Sequence, residues 1–197
     1  ATVTGIEPAE ANIAAARTHA VDAGLVVDYR AVRAEDLAAE GRQYDVVVCL
    51  EVLEHVPDLP RLMGNCLKLL KTGGQFIIEV PYEHAQTAWQ DPTHLRALNE
   101  QSWIYYADWF WYLGWFEHRF HVEQSAYLDI GLRECTQDKA AFMRVCLLKV
   151  ETSLRERTTA RTMAAKLELP DDDAPLTQTV EHVLSVHPAQ GEDEERL

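Results

Sequence analysis

Nothing in this sequence approaches the roughly 18 consecutive apolar residues that a membrane-spanning helix requires, so no such helix is expected within it. Cations are scarce: 18 Lys and Arg stand against 32 Asp and Glu, for a formal net charge of −14. A ligand held by its phosphate backbone is therefore disfavoured, because nucleic-acid binders need Lys and Arg to displace counterions. Half of that excess lies beyond Pro170, where eight acidic residues face Arg196 alone. The four cysteines, Cys49, Cys66, Cys135 and Cys146, sit in apolar surroundings without C-x-x-C spacing. They read as reduced core thiols of a cytoplasmic protein, and neither a disulfide framework nor a zinc site is indicated. No secretory signal is visible. That absence carries little weight, because the chain begins in mid-pattern without an initiator Met.

What is present is one domain's worth of chain, 197 residues of which 47% are hydrophobic, enough to bury a full core. Its most informative stretch is Tyr44 to Asp58, YDVVVCLEVLEHVPD. Tyr44 to Leu50 is an unbroken β-branched and apolar run, which predicts a strand buried on both faces. Glu51, Glu54 and His55 follow at i, i+3 and i+4, and a helix after Leu50 would put all three on one face at the strand's carboxyl end. In open α/β sheets that edge binds ligands. Around it strands and helices alternate, as in a doubly wound parallel sheet. Thr2 to Ile6 is a strand, Ala9 to Ala23 a helix, Val26 to Tyr29 a strand, Leu59 to Leu70 a helix capped by Asp58, and Gln75 to Val80 a strand. KTGG at 71–74 reads as the turn before that last strand.

YDVVVCLEVLEHV resembles the fourth strand of the class I S-adenosylmethionine (SAM)-dependent methyltransferases, and most closely the ubiquinone-biosynthesis O-methyltransferases. The resemblance is specific from Val3 to Val80 and only architectural beyond. It implies a Rossmann-like α/β sheet with helices on both faces, SAM as cofactor, and an acidic residue after the second strand to take the ribose hydroxyls. That role falls to Glu7, although a first-turn Glu also complements a helix dipole. VRAEDL at 32–37 matches the family's loop beside the adenine. Arg33 stands where an acidic residue is usual, which leaves the backbone N–H of Ala34 as the adenine contact. Leu50 would be the apolar wall against adenine or ribose. The family's first strand and its glycine-rich loop are found nowhere here, so the fold is expected to be incomplete at its N-terminus, the remainder of a longer chain.

By the same resemblance an E-x-x-E-H motif at this position accompanies a divalent metal in the ubiquinone-type enzymes and in the small-RNA 3′-end 2′-O-methyltransferases. Glu51, Glu54 and His55, with His94 from a later loop, are the candidate ligands, and Mg²⁺ or Mn²⁺ suits them better than structural Zn²⁺. Such a metal would lower the pKa of an acceptor hydroxyl. Without one, His55 is a general base or a packed residue, with His94 the other catalytic candidate. His84, His118 and His121 receive no role.

Nine of the 17 aromatic residues lie between Trp103 and Phe116. They predict a helix over 99–113 that docks Trp103, Tyr106 and Phe110, and leaves Tyr105, Trp109 and Tyr112 for a lid, a flat substrate or a second copy of the chain. Phe116 to Ala126 and Ala140 to Val150 form an antiparallel pair. Residues 1–151 are the methyltransferase-like domain, and 152–197 a helix followed by an acidic tail too polar to stay ordered throughout. The function expected is O-methylation of a small polar or aromatic metabolite. The alternatives are RNA 3′-end 2′-O-methylation, for which no basic stripe is present, and a non-catalytic binding domain.

Overall fold

The computed structural model describes residues 2–33, 36 and 42–167. Ala34 and the acidic tail beyond Leu167 lie outside the described residues. The chain runs β1 (Val3–Ile6), α1 (Glu10–Asp22), β2 (Val27–Arg30), β3 (Tyr44–Leu50), α2 (Leu59–Leu69) and β4 (Leu70–Pro81). Next come α3 (Thr87–Gln90), α4 (Ile104–Ala107), β5 (His118–Leu128), β6 (Glu134–Cys135), β7 (Phe142–Glu151) and α5 (Leu154–Lys166). The architecture is α/β, as the alternation of elements predicts. β1 and β2 pair in parallel, β3 and β4 likewise, and β7 runs antiparallel between β4 and β5.

The core forms where β4 meets β7. The pairs Phe76–Leu147, Ile78–Val145 and Val80–Met143 face each other across the ladder with no exposed surface. Leu62, Met63 and Cys66 of α2 join the same cluster. α2 starts where the sequence places it, because Asp58 accepts a 3.0 Å bond from the Arg61 N–H and Pro60 fits the first turn. α5 likewise begins on a capping box made by Ser153 and Glu156. It turns Ala160 and Ala164 onto the core.

Three local expectations are corrected. β3 is not buried on both faces: Val47 and Cys49 pack on the core, but Val48 is 54% and Leu50 52% exposed. The reason is topological. The described strands form two sheets, β1-β2 and β3-β4-β7-β5-β6, so β3 is an edge strand. A 3.1 Å hydrogen bond from the Tyr44 hydroxyl to Thr4 Oγ1 joins β1 to β3. KTGG is not a turn ahead of the strand but an irregularity within it, between the pairs Tyr44–Leu70 and Val46–Gln75. Gly73 sits there at φ +81°, where a side chain would strain the backbone. The aromatic segment is not one helix. It is a 3₁₀ turn at Glu100–Trp103, the single α turn of α4 and a second 3₁₀ turn at Phe110–Leu113, stopped by Gly114 at φ +73°. Trp103, Tyr106 and Phe110 are buried, while Tyr105 and Trp109 remain exposed in edge contact with each other.

The two environments of the parallel pair should separate in stability. Ile78→Ala should cost about 2–5 kcal/mol, whereas Val48→Ala, on the exposed face of β3, should cost less than about 1 kcal/mol. Urea titration of both variants checks this. Equal losses would mean that the face of β3 bearing Val48 is covered in solution.

Candidate functional site

β3 ends at Leu50, and the chain leaves the sheet at once. Glu51 takes a left-handed backbone, φ +54°, while its N–H donates to the Glu79 carbonyl at 2.8 Å. For a residue with a Cβ that conformation costs on the order of 1 kcal/mol. It swings the chain across the end of β4. No helix follows: Pro57 disfavours helical backbone at Val56, and α2 starts only after its Asp58 cap. The expected helical sharing of one face by Glu51, Glu54 and His55 is therefore not how this site is built. A turn, closed by the His55 N–H on the Val52 carbonyl, buries Leu53 and Glu54 and leaves His55 part exposed.

The other half comes from the loop after α3. The Leu95 N–H donates to the Glu54 carbonyl at 2.8 Å, laying 91–95 along the turn. Glu54, His55 and His94 thereby each bring a ligand atom within 4.8 Å of the others. The two rings meet edge to face with centroids 4.7 Å apart. Glu51 is not one of that group, although its charge acts on Glu54.

Hydrogen bonding fixes both tautomers. His94 Nδ1 lies 3.0 Å from the Ala88 carbonyl oxygen, which can only accept, so Nδ1 carries the proton. His55 Nδ1 faces the Thr93 carbonyl at 3.3 Å and Thr93 Oγ1 at 3.1 Å. The Thr93 hydroxyl donates to Asp91 Oδ1 at 2.7 Å, so it too accepts from His55. Each neutral imidazole is left with its lone pair on Nε2, the arrangement of a metal-ligating or proton-accepting histidine. Asp91 and Thr93, which the sequence pattern does not single out, orient the His55 ring. Their trace in the sequence is the D-P-T turn chemistry of 91–93, where Asp91 also accepts from the Thr93 N–H.

Glu54 is the anomaly. It is 2% exposed, and neither carboxylate oxygen has a hydrogen-bond partner. Burial raises its pKa, as does the charge of Glu51, while its own backbone N–H, too poorly placed for a hydrogen bond, and the two histidines act the other way. A buried carboxylate without partners is costly, and a proton or a cation relieves it. One carboxylate with two open oxygens and two imidazole Nε2 atoms is a donor set that fits a divalent cation.

Of the cofactor candidates, Leu50 stands exposed at the end of β3, and Glu7 lies half-buried just past the end of β1. Glu7 Oε1 accepts from the Ala9 N–H at 2.9 Å and Asn12 Nδ2 at 3.1 Å, ahead of the first turn of α1 rather than within it. Beyond the end of β4 lies a cleft of about 390 Å³ lined by Tyr82, His84, Gln137, Asp138 and Ala140. Beneath it Glu100 Oε1 accepts from the Tyr82 and Tyr127 hydroxyls and from Gln137 Nε2. That carboxylate holds the Tyr127 phenol up at about 12.

Residues 1–78 match the methyltransferase domain family. Over 76 residues the chain is 51% identical to a ubiquinone biosynthesis O-methyltransferase of Pseudomonas savastanoi pv. phaseolicola, covering 38% of this chain and 33% of that protein. The chain thus spans about a third of the length of the curated relatives it matches. Among solved structures it is similar to a SAM-dependent methyltransferase from Clostridium acetobutylicum, with a TM-score of 0.58, 11% identity and 75% of each chain covered. It is also similar to the [4+2]-cyclase SpnF, with a TM-score of 0.58, 16% identity, and 76% of this chain and 66% of that one covered.

The ionisation of Glu54 should be visible in stability. Because its folded pKa is raised, the native state binds the proton more tightly than the unfolded state does. Its contribution is therefore fully present below the ordinary value of 4.5 and lost as pH rises through the folded value. In chelator at pH 7, Glu54→Gln should be more stable than the parent by about 1–3 kcal/mol, with the gap closing toward pH 4. Parallel stability profiles of the two proteins from pH 4 to 8 would show that the carboxylate is solvated.

Proposed function

We propose that the protein is the site-bearing part of a SAM-dependent O-methyltransferase acting on a small polar or aromatic metabolite, since residues 1–78 match the methyltransferase domain family and the fold is similar to that of a SAM-dependent methyltransferase. The observation that carries this reading is the position of the Glu54–His55–His94 group. Glu54 and His55 sit just past the carboxyl end of a parallel strand, inside the segment that matches the family and with Leu50 ahead of them, and His94 joins them from a loop beyond that segment. The name borne by the similar Pseudomonas protein favours oxygen as the nucleophile.

In this reading Glu7 accepts from the ribose hydroxyls, Leu50 covers the adenosine, and the backbone of Ala34 contacts the adenine. SAM is an activated methyl donor, so the protein's task is alignment and removal of one proton from the acceptor hydroxyl. In a metal-free site His55, with its lone pair on Nε2, accepts that proton; in a metal-bound site that lone pair is a ligand and His55 is not the base. Glu54, His55 and His94, with Glu51 nearby, would hold Mn²⁺ or Mg²⁺, which supplies Lewis acidity toward the acceptor oxygen. Two imidazoles in the set favour Mn²⁺ of the two. The cleft lined by Tyr82, His84 and Asp138 lies beyond the end of the neighbouring strand and offers the acceptor a polar wall. RNA 3′-end methylation is the weaker reading on charge, −14 overall.

The full-length product of the gene, given SAM labelled in the methyl group, should transfer label to catechol-type phenols and not to small RNA. Chelator should abolish transfer and Mn²⁺ restore it. His55→Ala should lower kcat by about 10²–10⁴ and leave SAM affinity unchanged, whereas Glu7→Ala should weaken SAM binding by about 1–3 kcal/mol, read by calorimetry. Transfer that is indifferent to chelator removes the metal from this reading. SAM binding without transfer to any acceptor points to a binding domain.

A further inference from the structure

Neither half of the Glu54–His55–His94 group is regular structure, so something must hold the turn and the loop in register. The Leu95 bond to Glu54 is one tie, and Arg96 supplies three more. Its Nη1 donates to the Leu53 carbonyl at 3.0 Å and to the Val56 carbonyl, and its Nη2 to the Pro57 carbonyl at 3.0 Å. Because 51–58 is not helical, these carbonyls have no i+4 N–H to accept from, and those of the buried residues Leu53 and Val56 need partners. A guanidinium can meet three of them at once, since its donors lie in one rigid plane. Arg96 bonds the carbonyls on both sides of Glu54 and His55, and is itself two residues from His94.

We infer that Arg96 is the positioning residue of this site, the clamp that sets His94 against His55 and keeps the Glu54 carboxylate beneath them. Its three hydrogen bonds all go to backbone carbonyls, so it acts through the backbone that carries those side chains. The inference deepens the proposed function, because it concerns the same site and rests on that site being the reactive one. Lysine is no substitute: an ammonium on a flexible stem keeps the charge but cannot span three carbonyls in a plane.

The test compares the parent chain with Arg96→Lys and Arg96→Ala. In the parent, the ring protons of His55 and His94 should give a direct nuclear Overhauser contact, as rings 4.7 Å apart require. In both variants that contact should be lost or fall severalfold, while the methyl resonances of the Phe76–Leu147 and Ile78–Val145 core stay in place. Mn²⁺ affinity, read by the EPR signal of free Mn²⁺, should fall about 10–100-fold, as removal of outer support does at metal sites. A purely structural role would lower the unfolding temperature and leave the ring contact intact in the folded molecules. Should Arg96→Ala not fold, Arg96→Lys carries the comparison. Parent-strength ring contact in a folded variant overturns the inference. A parent that binds no Mn²⁺ defeats the metal part of the proposed function instead, and the ring contact then decides the role of Arg96.

Discussion

β4 is hydrogen-bonded along both edges, parallel to β3 on one side and antiparallel to β7 on the other, and the rest of the molecule is hung from it. Its inward residues are those without exposed surface, and its Glu79 carbonyl catches the Glu51 N–H, the point at which the chain turns into the site. Glu79 itself is buried and answered by Arg144 from β7 through two guanidinium bonds, the shorter at 2.5 Å. This is a carboxylate provided with its partner. Glu54, a few residues past the neighbouring strand, is a carboxylate left without one. Two acidic groups in comparable burial thus have opposite treatment, and stability alone explains only the first.

Much of the scaffold was legible in the sequence because its signals are local. Asp58 before an apolar stripe at helical spacing marks α2, and the β-branched run at 44–50 marks β3. Burial was less legible, since a run such as YDVVVCL does not say whether both faces are covered, and Val48 is half exposed because of what pairs beside it. In the site, Glu54 and His55 were visible as adjacent polar residues after an apolar run, and His94 as a loop histidine. Their mutual geometry was not visible. It depends on a left-handed Glu51 and on Arg96, an arginine whose partners are backbone carbonyls about 40 positions earlier, and no spacing rule reports such bonds. The aromatic stretch misled as well: its apolar positions fit a helix, but the chain makes three short turns there and stops at a left-handed Gly114.

Fold and chemistry remain separate matters. Proteins whose names describe a methyltransferase and a [4+2]-cyclase share this architecture at similar TM-scores, so the sheet does not select the reaction. What selects it is the handful of groups placed at the strand ends. Two tautomer-fixed imidazoles over an unsatisfied carboxylate form a preorganised proton- or cation-accepting centre whichever acceptor enters.

Among the described residues no strand pairs with the outer edge of β3, and that edge has a bearing on how the protein behaves at high concentration. A strand that offers its backbone N–H and C=O groups on one side, and valines on one exposed face, is a template onto which another chain can add by backbone pairing. Asp45 and Lys71, an ion pair at its entry, are the described charges that guard that end of the strand. Handled alone and concentrated, such a molecule invites ribbon-like self-association, and a charged side chain in place of Val46 or Val48 would act as the gatekeeper that this edge lacks.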